Sequence, residues 1–147
     1  MEDVGILKRV HMVGIGGIGM SALAQLYLSR GIAVSGSDRE ASPVTDMIAR
    51  KGIAVVIGHD GCSIPANTSC LVYSDAVPQD NPERERARQM CMRELSYFEA
   101  LGEASRDMRT IAIAGTHGKT TTTAMLAHIL HTAGKKPMAI VGSIVQD

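Results

Sequence analysis

The chain has 147 residues, 15 basic against 15 acidic side chains, and 45% hydrophobic but only 3% aromatic content. That is chain enough for one globular domain with an aliphatic core and a little more, and its zero formal charge lacks the basic excess that marks nucleic-acid or membrane-surface binding. No apolar run approaches the roughly twenty residues of a membrane span, and no basic N-terminal stretch leads into an apolar run; Cys62, Cys70 and Cys91 form no C-x-x-C pair and read as reduced thiols, so a cytoplasmic protein is expected.

Residues 1–8 are a short lead-in, after which 9–15 run apolar, as a strand, into G-I-G-G-I-G with Gly14, Gly16 and Gly19 at G-x-G-x-x-G spacing. A helix follows, with Met20, Leu23, Ala24, Leu26, Tyr27 and Leu28 at helical spacing and Gly31 where a C-terminal cap belongs. A second strand, 32–35, leads to Asp38, near the place where an acidic residue meets a ribose hydroxyl in dinucleotide folds. Ser42-Pro43 starts a helix that ends at Gly52, and 53–57 is a third strand followed by Gly58-His59, at a strand end where ligands gather in open α/β sheets. Gly-Ile-Ala-Val occurs twice, at 31–34 and 52–55, as two tandem βα units would produce.

Residues 61–69 are polar and turn-rich, 70–73 form a fourth apolar strand, and Asn81-Pro82 opens a helix whose body, 83–90, is so charged that a surface position with weak ion pairs is expected. Ser96 and Glu99 have capping-box spacing, predicting a helix over 96–105. The charged interval 106–109 reads as a junction, giving domains at 1–107 and 108–147. Beyond it, a strand at 110–114 runs into G-T-H-G-K-T-T-T-T, a helix at 119–132 is closed by Gly134, and 137–141 forms another strand.

That second glycine turn, feeding a helix N-terminus, is a phosphate cradle. It is a shortened relative of G-x-x-x-x-G-K-[ST], since Ile113 takes the place of the first glycine and Gly115 closes the loop. Gly115, Thr116, His117, Gly118 and Thr121 would surround the phosphates of a nucleotide, Lys119 would sit on the terminal phosphates, and the Thr120 hydroxyl is the hard oxygen that a phosphate-bound Mg²⁺ prefers. One strand, helix and strand cannot cover a parallel sheet, so this unit is expected to be only the opening of its domain. His128 and His131 share a helix face but lack a companion carboxylate or thiolate for a metal.

These residues resemble the Mur ligases of bacterial cell-wall synthesis, and within them the alanine-adding branch. The motifs are H-M-V-G-I-G-G-I-G-M-S at 11–21, S-G-S-D at 35–38, G-H at 58–59, S-D-A-V at 74–77, D-N-P-E at 80–83 and A-G-T-H-G-K-T-T-T at 114–122. The resemblance implies an α/β protein with a Rossmann-like parallel-sheet domain that binds the UDP substrate, followed by the first strand-helix-strand unit of a P-loop domain. It implies Gly16, Gly17, Ile18 and Gly19 against the diphosphate, Ser37, Asp38, His59 and Ser74 around the uridine with Asn81 nearby, and Gly14, Met20 and Ala76 in the same UDP-substrate site. Lys119 and Thr120 would be the catalytic contacts, with Thr120 on the metal. The implied reaction phosphorylates the carboxylate of UDP-N-acetylmuramate with ATP and Mg²⁺ and lets the amine of L-alanine attack, with charge at the transferring phosphoryl group neutralised by lysine and metal. A chain of this length is expected to be inactive alone, and its oligomeric state is not legible. Two other classes stay open: an NAD-dependent oxidoreductase, which accounts for the first turn and Asp38 but leaves the second turn unexplained, and a non-catalytic UDP-sugar-binding module.

Overall fold

A strand flanked by parallel neighbours and covered on both faces must be apolar or internally paired throughout. The central strand, β1 (Arg9–Val13), is buried along its whole length after Arg9. The structure is a computed structural model that describes residues 7–59, 61 and 63–141. After β1 come α1 (Ile18–Ser29), β2 (Ala33–Asp38), α2 (Pro43–Arg50), β3 (Ala54–Ile57), β4 (Cys70–Tyr73), α3 (Pro82–Gln89), β5 (Arg93–Ser96), α4 (Tyr97–Ser105) and α5 (Lys119–Thr132). The five strands form one parallel sheet in the order β3-β2-β1-β4-β5. Chain direction across the sheet reverses between β1 and β4, and the crevice beyond their carboxyl ends is where doubly wound sheets take ligands.

Register decides which residues share a face. Val10 and Met12 stand beside Val34 and Gly36 on one side and Cys70 and Val72 on the other. They pack with Leu23, Ala24 and Tyr27 of α1 and Ala100 and Ala104 of α4 in the larger core. Burial in that core pushes the Cys70 thiol up to about 11 and the Tyr27 hydroxyl up to about 12, so neither ionises near neutrality. The alternate positions of β1, His11 and Val13, stand beside Ser35 and Ser37 of β2. On that side the apolar cluster is small, Val13, Leu71, Val77 and Ala87, and leaves a buried polar seam to be satisfied.

The helix starts fall into two kinds. Ser42, Asn81 and Ser96 cap α2, α3 and α4 through their side chains, with reciprocal capping boxes at Ser42/Thr45 and Ser96/Glu99. Helices α1 and α5 begin on Gly17 and Gly118 with no side-chain cap at all. Ser96→Ala removes an acceptor from the α4 amides, and a loss of about 1 kcal/mol in a denaturant titration is expected; no change would mean the cap is idle.

Three sequence expectations need correction. Helix α3 is solvated on one side only: Glu85, Arg86 and Arg88 are exposed as expected, but Glu83, Arg84 and Ala87 are buried. Arg84 donates to Glu94 Oε1 (2.5 Å) and to the Val77 carbonyl (3.0 Å), and its guanidinium lies 3.5 Å from the Tyr73 ring centre. Strand β5 was not anticipated: Arg93–Ser96 buries only Leu95, as an edge strand of four residues can. Finally, 110–114 and 137–141 are not strands, since neither finds a ladder partner among the described residues and a strand exists only by pairing. Both segments instead line an apolar cleft of about 740 Å³ with α5. Helix α5 buries none of its side chains, and Met125 and Ile129 are more than half exposed.

Candidate nucleotide-binding site

The first glycine turn is tied to the end of β2. Gly14, in the left-handed region at φ +78°, and Ile15 both donate to the Ser37 carbonyl, at 2.9 and 3.0 Å. Gly17 donates to the Gly14 carbonyl (3.2 Å) and Gly16 to Asp38 Oδ2 (2.7 Å). A Cβ on Gly16 would stand 2.8 Å from that same oxygen, so only glycine lets the carboxylate reach the amide. The turn's own amides are thus used to shape it. The next three, Ile18, Gly19 and Met20, have no acceptor among the described residues, and they sit at the positive end of α1. A side chain on Gly19 would strike the Tyr97 ring at 2.7 Å, which fixes how closely α4 approaches this end.

Asp38, anticipated at a ribose, holds the Gly16 amide, and its other oxygen accepts from the Glu40 amide at 3.3 Å. Beside it, Ser37 and His59 meet at 2.9 Å (Oγ to Nδ1). Both reach Glu83, the residue that sequence reasoning placed on the surface: His59 Nδ1 lies 2.9 Å from Oε2, and the Ser37 hydroxyl donates to the same oxygen. His11 Nε2 lies 3.0 Å from Oε1, and His11 Nδ1 2.9 Å from Ser35 Oγ. Burial alone pushes the Glu83 carboxyl up, but the hydrogen bonds from His11, Ser37 and His59 together outweigh it and hold it below the ordinary carboxylate range. The signal that would have found Glu83 was present: His11, Ser35 and Ser37 fall at alternating positions of two central strands, and a buried polar row must have a partner.

The second glycine turn has the same logic in the open. Gly118, at φ +76°, is the left-handed cap of α5, and the amides of Lys119, Thr120 and Thr121 have no acceptor among the described residues. The Lys119 ammonium folds back onto the Gly115 and Thr116 carbonyls, the latter at 3.2 Å. Residues 114–120 are exposed, so the mouth of this turn is unobstructed, and His117 is a solvent-facing member of the loop.

A family model described as Mur ligase family, catalytic domain, matches residues 9–109, the span of the whole sheet and its helices. The chain belongs to the Mur ligase family. It is 46% identical over 143 residues to the UDP-N-acetylmuramate–L-alanine ligase of Chlorobium phaeovibrioides, covering 97% of this chain and 30% of that protein. It is 43% identical to the protein of the same name from Rubrobacter xylanophilus, covering 95% of this chain and 31% of that one. Among solved structures, UDP-N-acetylmuramate-alanine ligase MurC from Thermotoga maritima superposes with a TM-score of 0.88 at 35% identity, over 93% of this chain and 32% of that one. A murein peptide ligase from Psychrobacter arcticus gives 0.81 at 33% identity, over 86% and 27%. The chain therefore spans about 30% of the length of the curated relatives it matches.

On this Mur ligase sheet, Ser74 borders the first turn from the β4 side: a Cβ on Gly14 would lie 3.0 Å from the Ser74 Cβ. Ser74 Oγ accepts from the exposed Ala76 amide at 3.4 Å. Asn81 is buried, and its side-chain oxygen accepts from the amides of Glu83 (3.0 Å) and Arg84 (3.3 Å), so it anchors the helix that carries Glu83. Among the described residues no group of three or more His, Cys, Asp or Glu side chains gathers to hold a metal, and no helix is long and apolar enough to cross a membrane.

Proposed function

We propose that the chain is the nucleotide-binding front of a cytoplasmic, ATP-dependent ligase that joins L-alanine to UDP-N-acetylmuramate in peptidoglycan synthesis. Residues 1–107 form the UDP-substrate domain and 108–147 open the ATP-binding domain. The observation that carries this reading is the contrast in helix starts. Three helices are closed by serine or asparagine, while the two that follow glycine turns each present three unpartnered amides, at Ile18, Gly19 and Met20 and at Lys119, Thr120 and Thr121. A pair of open, positive helix ends on one chain suits one diphosphate and one triphosphate. The name shared by the relatives supplies the substrates, and alanine is favoured over a peptide by the alanine-ligase names of the 46% and 43% identical relatives.

In this reading the first open end holds the diphosphate, with Gly14, Gly16 and Gly17 shaping the turn and Asp38 pinning it. Ser37, His59, Ser74 and Ala76 surround the uridine, and Asn81 acts at one remove as the cap of α3. At the second end, Lys119 leaves its loop carbonyls for the terminal phosphates, and Gly115, Thr116, His117 and Gly118 wrap them. The Thr120 hydroxyl, on the first turn of α5, is a hard oxygen donor that fits Mg²⁺; when bound, the ion neutralises phosphate charge. Phosphorylation gives the muramate carboxylate a leaving group, and the turnover belongs to the whole ligase.

Calorimetric titration of the chain tests the assignment. UDP-N-acetylmuramate is expected to bind and NAD to give no heat; the reverse pattern overturns the ligase reading. Lys119→Ala removes a charged hydrogen-bond donor worth about 1.5–3 kcal/mol, so ATP affinity should fall tenfold or more by order of magnitude. UDP-N-acetylmuramate affinity should be untouched, and unchanged ATP binding would remove the second turn from the site.

A further inference from the structure

Glu83 is fully buried, and its carboxylate can only accept, so each of its three neighbours must bring a proton. For His11 this puts the proton on Nε2 and leaves Nδ1 to accept from the Ser35 hydroxyl. For His59 the nitrogen against Glu83 is Nδ1. That nitrogen also lies 2.9 Å from Ser37 Oγ, but the Ser37 proton is itself directed to Glu83. The bonding network therefore assigns a proton to His59 Nδ1, and in the neutral ring the lone pair falls on Nε2.

His11, Ser35 and Ser37 belong to the sheet, and satisfying them is a matter of folding. His59 is different. It follows β3 at the carboxyl end of the sheet, its side chain is 17% exposed, and its partner Ser37 carries the carbonyl to which the first glycine turn is tied. A carboxylate that reaches past the sheet to orient a ring at the mouth of a ligand crevice resembles the outer partners that fix the tautomer of working histidines.

We propose that Glu83 is a positioning residue of the nucleotide site: it holds His59 so that Nε2 accepts a hydrogen bond from a donor of the nucleoside, the imide N–H of uracil or a ribose hydroxyl. This rests on the uridine reading given above. It makes recognition depend on a residue that never touches the ligand.

The test uses ¹⁵N-histidine NMR on the chain with UDP as the probe. Free, His59 should show a protonated Nδ1 and a bare Nε2, and UDP should shift Nε2 in the direction of an accepted hydrogen bond. A protonated Nε2 in the free chain at neutral pH, or an Nε2 that UDP leaves unmoved, overturns the proposal. N3-methyl-UDP and 2′-deoxy-UDP then identify the donor: whichever analogue lacks it should bind about tenfold more weakly, the scale of one buried hydrogen bond, and equal binding of both analogues and UDP overturns it. In Glu83→Gln that analogue and UDP should bind alike, because the orientation they sense is gone. If Glu83→Gln weakens both by the same factor, or neither, Glu83 serves the fold alone and the proposal fails; should the variant not fold, the wild-type spectra and the analogues decide. A chain that binds no UDP at all sinks the uridine reading itself, a result distinct from binding with an unmoved Nε2.

Discussion

Gly36→Val is expected to cost the fold on the order of 3 kcal/mol, at the upper end for overpacking a rigid site. A Cβ at Gly36 would stand 2.4 Å from the Met12 carbonyl oxygen and 2.7 Å from Ile15 Cδ1. The side chain of Ile15 can turn away, but the Met12 carbonyl belongs to the central strand, which is laddered on both sides and cannot. In a chain of this size each kcal/mol moves the melting midpoint by roughly 2–4 °C, so a fall of about 10 °C is expected by thermal scan. Gly102→Ala is the control of opposite sign: nothing lies within 4 Å of its Cβ in the middle of α4, and replacing a helical glycine there should stabilise by about 1 kcal/mol. Melting of Gly36→Val within a degree or two of wild type would mean that β1 and β2 do not approach as closely as described. The same contact has a functional side, because Ile15 lies within the glycine turn, and a variant that folds with Ile15 displaced should also bind UDP-N-acetylmuramate poorly.

What was legible in the sequence followed local rules. Ser42 and Ser96 announced their helices because a cap needs only three residues of context, and Gly31, Gly52 and Gly134 marked helix ends because the left-handed conformation favours glycine. The two glycine turns were legible for the same reason, as the glycines and the helix each one opens lie together in the chain. What failed depended on partners distant in sequence. Glu83 is 72 residues from His11, and a count of charges along α3 carries no trace of a polar row on the sheet beneath it. Strand β5 offers one buried leucine among polar neighbours and is a strand only because β4 is there to pair with it. Residues 110–114 fail in the opposite sense: Ile-Ala-Ile-Ala has the composition of a buried strand, but propensity without a neighbouring ladder makes none. The candidate site shows the same division: the glycines and Lys119 were picked by a local motif, whereas Glu83, 24 residues from His59, was not.

Glu83→Ala is expected to be the most damaging substitution outside the hydrophobic core, costing about 3–5 kcal/mol, the range seen when one partner of a buried charged network is removed. It leaves the donors of His11, Ser37 and His59 without the acceptor they share. The pH dependence follows from the direction of the carboxyl shift. Because the folded chain holds Glu83 below its ordinary 4.5, ionised Glu83 stabilises the fold fully above the unfolded value and loses that contribution as pH falls through the lower, folded one. Urea unfolding between about pH 5 and 3 should therefore show wild type losing more stability than Glu83→Ala, and the two curves converging toward acid. Parallel curves would show that the carboxylate contributes nothing by being ionised. Replacing His11, Ser35, Ser37 and Glu83 together by apolar residues of matching volume should, by contrast, be nearly neutral, as it commonly is for buried polar clusters. If that apolar variant is stable and no longer binds UDP, the network, Ser37 included, is retained for the nucleotide site, since folding alone would be served as well by hydrocarbon.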